Sequence, residues 1–139
     1  MEIQSNNYYL ITKNGNKHQV FGAKNHDLDL IINLKSHIEF LIDLVLEIKA
    51  KIDQSQNLTK RTESINQILN LVYEQDKNST PIPWISYFEG RDHVSGSSFI
   101  MTPNEDIEIC GISIENQDFI AESRTRLPSL LQEIMMLST

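Results

Sequence analysis

Seven aliphatic residues, Ile31, Leu34, Ile38, Leu41, Val45, Ile48 and Ile52, fall alternately three and four positions apart. That spacing returns each side chain to one face of an α-helix, while Lys35, Glu39, Asp43, Glu47 and Lys51 recur every fourth residue on another face. The pattern predicts a helix from Asp27 to about Asp53, roughly 38 Å long at 1.5 Å per residue. Its apolar seam needs a long partner. Packing against a second helix of the same chain is the favoured arrangement for a seam of three heptads. The alternative is a homodimer through Ile31, Leu34, Ile38, Leu41, Val45 and Ile48. Lys35, Glu39, Asp43 and Glu47 interrupt the stretch with charges that a membrane-spanning helix would not carry at its centre.

A second amphipathic helix is predicted over Thr59 to Gln75, with Ile65, Ile68, Leu69 and Val72 on one face, antiparallel to the first after the polar run Gln54-Ser55-Gln56-Asn57. Ahead of both, Tyr8 to Thr12 and His18 to Phe21 are β-prone runs around Asn14-Gly15, a hairpin turn dipeptide. Downstream, Trp84 to Phe88, Ser97 to Thr102 and Ile107 to Ile114 read as strands. The apolar parity changes near Cys110-Gly111, which predicts a β-bulge there. Asn116 reads as the N-cap of a last helix with Asp118 in its first turn. Pro128 lacks the backbone donor and disfavours helix at Leu127, so this helix is expected to break into one piece to Thr125 and another from Pro128 to Leu137. These elements predict an α+β fold, with a small antiparallel sheet packed on a long helical hairpin and an interrupted C-terminal helix. The chain reads as one domain. Asp76 to Pro83, with two prolines and several turn formers, is the only plausible internal boundary.

At 139 residues, 40% hydrophobic and 22% charged, the chain has the composition of an ordinary globular domain. One cysteine, Cys110, excludes an internal disulfide, and the N-terminal residues lack a signal-peptide pattern, so the expected site of action is the cytoplasm. The net charge of −7 is unevenly spread: residues 1–82 sum to −1 and residues 83–139 to −6. A field of that sign repels nucleic-acid phosphates and speeds encounter with a basic protein partner, while solubility alone accounts for the same charge equally well.

The segment TPIPWISYFEGRDHVSGSSFIMT and the later DIEICGISIENQDFIAESRTRLPSLLQEI resemble a small domain of uncharacterised bacterial proteins. The stretch QDFIAESRTRLPSLLQEI is similar to the tail of phage ead-like early proteins, with Asp118, Phe119, Ile120, Ala121, Arg124, Pro128, Leu130 and Leu131 fitting its pattern. Arg126 stands where an acidic residue is common. The likeness covers about the last 60 residues and implies prophage or mobile-element company with no attached reaction. In kind only, by size, charge and lack of a catalytic constellation, the chain resembles the immunity proteins that neutralise bacterial toxins, including those of contact-dependent growth inhibition.

The densest polar cluster runs from Glu89 to Ser98. Asp92 could orient His93 as a base, but the loop lacks the strand-turn-helix setting that exposes a serine nucleophile, so a polar or partner-binding loop is the preferred reading. His18, His26, His37 and His93 include no pair at metal-ligand spacing, and neither metal nor cofactor is expected. Trp84, Tyr87, Phe88 and Phe99 read as core, because base stacking needs a positive surround. Met135 and Met136 read as core or interface filling. The expected function is non-catalytic: an acidic module whose Glu89, Arg91, Asp92, His93, Glu105, Asp106 and Glu108 meet a basic partner on one rim. The specific expectation is an immunity protein against a toxin such as a nuclease. The alternative is a prophage accessory protein that oligomerises through the α-helical seam.

Overall fold

The computed structural model describes residues 8–53, 63–88 and 98–137. Its elements are β1 (Tyr8–Ile11), β2 (Lys17–Phe21), α1 (Asn25–Asp53), α2 (Glu63–Asn78), β3 (Ile85–Phe88), β4 (Ser98–Met101), β5 (Glu108–Ile109) and α3 (Ile114–Leu137). Helices and short antiparallel strands from one chain make an α+β fold.

The predicted N-terminal hairpin forms. Thr12 N–H donates to Asn16 O and Gly15 N–H to Thr12 O, both at 2.9 Å, and Tyr8 to Ile11 pair with Val20 to Lys17. β2 pairs in turn with β5, setting Val20 opposite Ile109 and Phe21 opposite Glu108. β3 and β4 form a separate antiparallel pair, with Ile85 opposite Met101 and Phe88 opposite Ser98. A bridge between Ile100 and Ile107, closed by backbone hydrogen bonds of 2.7 and 2.8 Å, joins the two ladders in the spatial order β1-β2-β5-β4-β3. Val20, Ile100, Ile107 and Ile109 share one side of this sheet by register, and all four are buried against the helices.

On α1 the seam residues Ile31, Leu34, Leu41, Val45 and Ile48 are buried and Ile38 is half-buried within the one chain. The chief partner of α1 is α3, with α2 in a lesser role, so the helical hairpin expected from the sequence is only part of the packing. Breadth of apolar face is the reason: α2 buries Val72, half-buries Ile65 and Leu69 and leaves Ile68 40% exposed, whereas α3 contributes Leu127, Leu131 and Ile134.

Three local expectations are corrected. The third strand does not run from Ile107 to Ile114 around a bulge. It is the two-residue β5, after which Gly111 takes a φ of 81° that turns the chain out of the sheet. Ser113, not Asn116, caps the last helix, its Oγ accepting from Asn116 N–H at 3.2 Å and its carbonyl accepting from Gln117 N–H at 3.0 Å. Finally, α3 runs unbroken through Pro128. A proline inside a helix costs about 3 kcal/mol, but Arg124, Leu127, Leu131 and Ile134 on either side of it are all buried, and that packing outweighs the local penalty.

The segment that reads as a boundary is part buried and part exposed, with Pro81, Ile82 and Pro83 open to solvent. α2 continues to Asn78, and Ser79 and Thr80 are buried beyond it. Asp27, fully buried near the start of α1, accepts from Lys24 N–H at 3.0 Å, as the third residue of a capping box does, and also from Thr80 N–H at 2.6 Å and the Thr80 hydroxyl at 2.7 Å. Arg124 of α3 pairs with the Asp76 carboxylate and donates to Asp76 O at 3.2 Å and Thr80 O at 3.0 Å, with its guanidinium 5.6 Å from the Trp84 ring. The Thr125 hydroxyl lies 2.9 Å from Trp84 N and 3.0 Å from Trp84 O. One buried knot thus ties the start of α1, the end of α2, the approach to β3 and the middle of α3. No helix among the described residues is long and apolar enough to cross a membrane.

Candidate protein-binding face

An antiparallel sheet with one side on the core ordinarily turns polar residues to water on the other. Here the outward positions are largely apolar. Tyr9, Phe21, Ile85 and Tyr87 are between 41% and 49% exposed and Ile11 is 65% exposed, while Phe99 and Met101 are half-buried on the same side. Facing inward, Gln117 of α3 is buried and holds the β3-β4 pair to the helix, its amide lying 3.0 Å from Ser86 Oγ, 3.0 Å from Tyr87 O and 3.1 Å from Phe99 O. The outward side chains are therefore displayed on a backbone fixed from behind.

Register orders them into rows. The bridge at Ile100 and Ile107, carried on by one residue, sets Phe99 opposite Glu108, and Glu108 is opposite Phe21 on β2. Tyr87 is opposite Phe99, their ring centroids 5.0 Å apart and tilted by 39°. One row across four strands thus reads Tyr87, Phe99, Glu108, Phe21. By register Glu108 stands between two phenylalanines, and its carboxylate accepts from the Cys110 thiol at 3.5 Å. Burial first, then the hydrogen bond to Glu108 and its negative charge, push the Cys110 thiol above its ordinary range. His18 Nδ1 lies 2.8 Å from Cys110 O and steadies the exit from β5.

Glu105, Asp106 and Glu108, three of the residues expected at the binding rim, are all exposed. Glu105 and Asp106 sit in the turn after β4, which Thr102 shapes by donating to Glu105 O at 2.7 Å and accepting from Asn104 N–H at 3.1 Å. Gly22 lets this turn close on β2: a Cβ there would stand 1.9 Å from Asp106 O. Glu89, Arg91, Asp92 and His93 lie outside the described residues. The strand ends that flank them, Phe88 and Ser98, are at the opposite end of β4 from the 102–106 turn, a separation of about 10 Å over three residue steps.

The aromatic members of the face are what sequence reasoning missed. Trp84 is core as expected, at 2% exposure, but Tyr87 is an outward residue. A signal was present: Trp84 to Phe88 and Phe99 to Met101 are apolar at both parities, as a strand covered on both faces would be. Met135 and Met136 are exposed rather than core. Met135 lines a groove of about 440 Å³ between α2 and α3, with Leu69, Tyr73, Leu131, Ile134 and the carboxamides of Asn66 and Asn70. Among the described residues no group of three or more His, Cys, Asp or Glu is placed to hold a metal ion. Compared with family models, curated proteins and solved structures, the chain matches none.

Proposed function

We propose that the chain is a protein-binding module that receives a basic partner on the outer face of its sheet, most concretely an immunity protein that masks a bacterial toxin such as a nuclease. The observation that carries this reading is the apolar outward face, with Tyr9, Phe21, Ile85 and Tyr87 exposed around Glu108 and flanked by Glu105 and Asp106. Exposed aromatic anchors inside a polar rim are the make-up of protein interfaces, where buried Tyr and Trp dominate the binding energy. The acidic rim selects a basic surface by attraction and disfavours nucleic-acid backbones by repulsion. In this reading the protein works by occluding a surface of its partner, and its own side chains perform no bond-making step.

Co-expression tests it directly. Toxin domains encoded beside this gene are expressed with and without the protein, and growth is scored. Rescue is expected with one of them, and the single variants Phe21→Ala and Tyr87→Ala, checked for native circular dichroism, should lose it. Rescue by folded variants at wild-type level would move the interface off the sheet, and failure of every neighbouring toxin would remove the immunity assignment.

A further inference from the structure

We infer that Glu108, set between Phe21 and Phe99, is a slot for one arginine side chain of the partner; this rests on the reading that the outer sheet face binds a basic protein. Neighbouring strands lie about 4.8 Å apart, so the Cα atoms of Phe21 and Phe99 stand about 10 Å from each other with Glu108 midway. Phe21 and Phe99 project from the same face on either side of Glu108, a Cα spacing that admits a flat cation between their side chains. Arginine suits this site better than lysine. Its guanidinium is planar, stacks on aromatic faces and meets a carboxylate with two parallel N–H donors, whereas an ammonium is a compact point charge that stays hydrated.

The slot has structural support on each side. Phe99 is packed against Tyr87 at 5.0 Å, and its strand is held from behind by Gln117, so its ring is braced. Glu108 Oε1 is engaged by the Cys110 thiol at 3.5 Å, which orients the carboxylate along the sheet. Phe21, 47% exposed, forms the open wall. The charge around the slot is complementary to a cation, with Glu105 and Asp106 exposed in the adjacent turn. Exposed apolar area on both flanks, Tyr9 and Ile11 on one and Ile85 and Tyr87 on the other, extends the surface well beyond a single side chain. That extent is why the arginine is assigned to a protein rather than to the free amino acid.

Heteronuclear NMR of the full chain, titrated with N-acetyl-arginine amide, tests the slot without the natural partner. The lysine and citrulline analogues serve as controls, the latter being a neutral near-isostere of arginine. Saturable shifts centred on Phe21, Phe99 and Glu108 are expected for arginine, with binding at least about threefold weaker for lysine and absent for citrulline. Glu108→Gln and Phe21→Ala, whose spectra also report whether each is folded, should abolish the response. Equal response to lysine, response to citrulline, shifts scattered over all carboxylates, or an unchanged titration in Glu108→Gln would each overturn the slot. The binding-face reading is judged separately. A basic partner whose affinity falls with Tyr87→Ala but not with Glu108→Gln would sink the slot and keep the face. Sedimentation showing a dimer that Phe21→Ala disperses would assign the face to a second copy and overturn both.

Discussion

Arg124 gathers the end of α2 and the approach to β3 onto the middle of α3 through one buried guanidinium. The residue is 2% exposed, its guanidinium paired with Asp76 and bonded to two backbone carbonyls over the Trp84 ring. A buried ion pair recovers its desolvation cost only when such additional bonds are made, and losing one partner strands the other. Cys110 is the residue on which pH dependence can be read. Burial and the adjacent Glu108 carboxylate raise its pKa, so at pH 8 it holds less thiolate than a free cysteine and should react more slowly with iodoacetamide. Glu108→Gln removes the charge and leaves a weaker, neutral acceptor, so it lowers the thiol pKa and should speed alkylation several-fold at about pH 8, with the gap narrowing at pH values high enough to ionise both thiols. Coincident rate–pH profiles for the two proteins would show that Glu108 does not act on the thiol.

At the scale of elements, the sheet depends on one close approach. Gly22 follows β2 with a φ of 81° and lies under Asp106 O, where an added Cβ would come within 1.9 Å. The obstruction is backbone, so either the 102–106 turn or the end of β2 must move. Gly22→Ala should therefore cost about 3 kcal/mol in chemical denaturation, from the unfavourable φ together with the clash, and should loosen the turn that carries Glu105 and Asp106. A loss below about 1 kcal/mol would mean that the turn yields freely. The helices obey a different balance. Pro128 reads as a break because proline is costly inside a helix, yet the buried residues before and after it belong to one apolar face pressed on α1. A local penalty near 3 kcal/mol is smaller than the burial lost if that face were divided.

For the whole molecule, charge and shape act together. The net charge is −7, and residues 83–139 carry −6 of it, including Glu105, Asp106 and Glu108 beside the aromatic face. Long-range attraction accelerates encounter with a basic protein, and salt screens it, the Debye length falling from about 30 Å at 0.01 M to about 10 Å at 0.1 M. Over that interval the association rate, measured by stopped flow, should fall about tenfold, with dissociation changing much less. Asp106→Lys combined with Glu108→Lys should flatten that dependence. A salt-insensitive rate for the wild type would leave the acidic rim without a part in recognition.

Much of the architecture is legible locally, because hairpin turns and amphipathic helices are specified by near neighbours. Asn14-Gly15 marks the first hairpin, and the three-four spacing from Ile31 to Ile48 marks α1 and its buried side. Glu105, Asp106 and Glu108 could be picked out as exposed acids by the same means. What no local pattern could supply is which surface covers which. Whether α1 meets α2, α3 or a second copy depends on apolar area contributed from residues far along the chain. Whether Pro128 ends a helix depends on what both of its flanks bury. Asp27, Thr80, Asp76 and Arg124 lie up to 97 positions apart and become one network only when the start of α1 and the end of α2 meet the middle of α3. The outward aromatic face was hidden for the same reason: Phe21, Phe99 and Tyr87 join around Glu108 through strand register, and a strand apolar on both sides looks the same in sequence whether or not a second layer covers it.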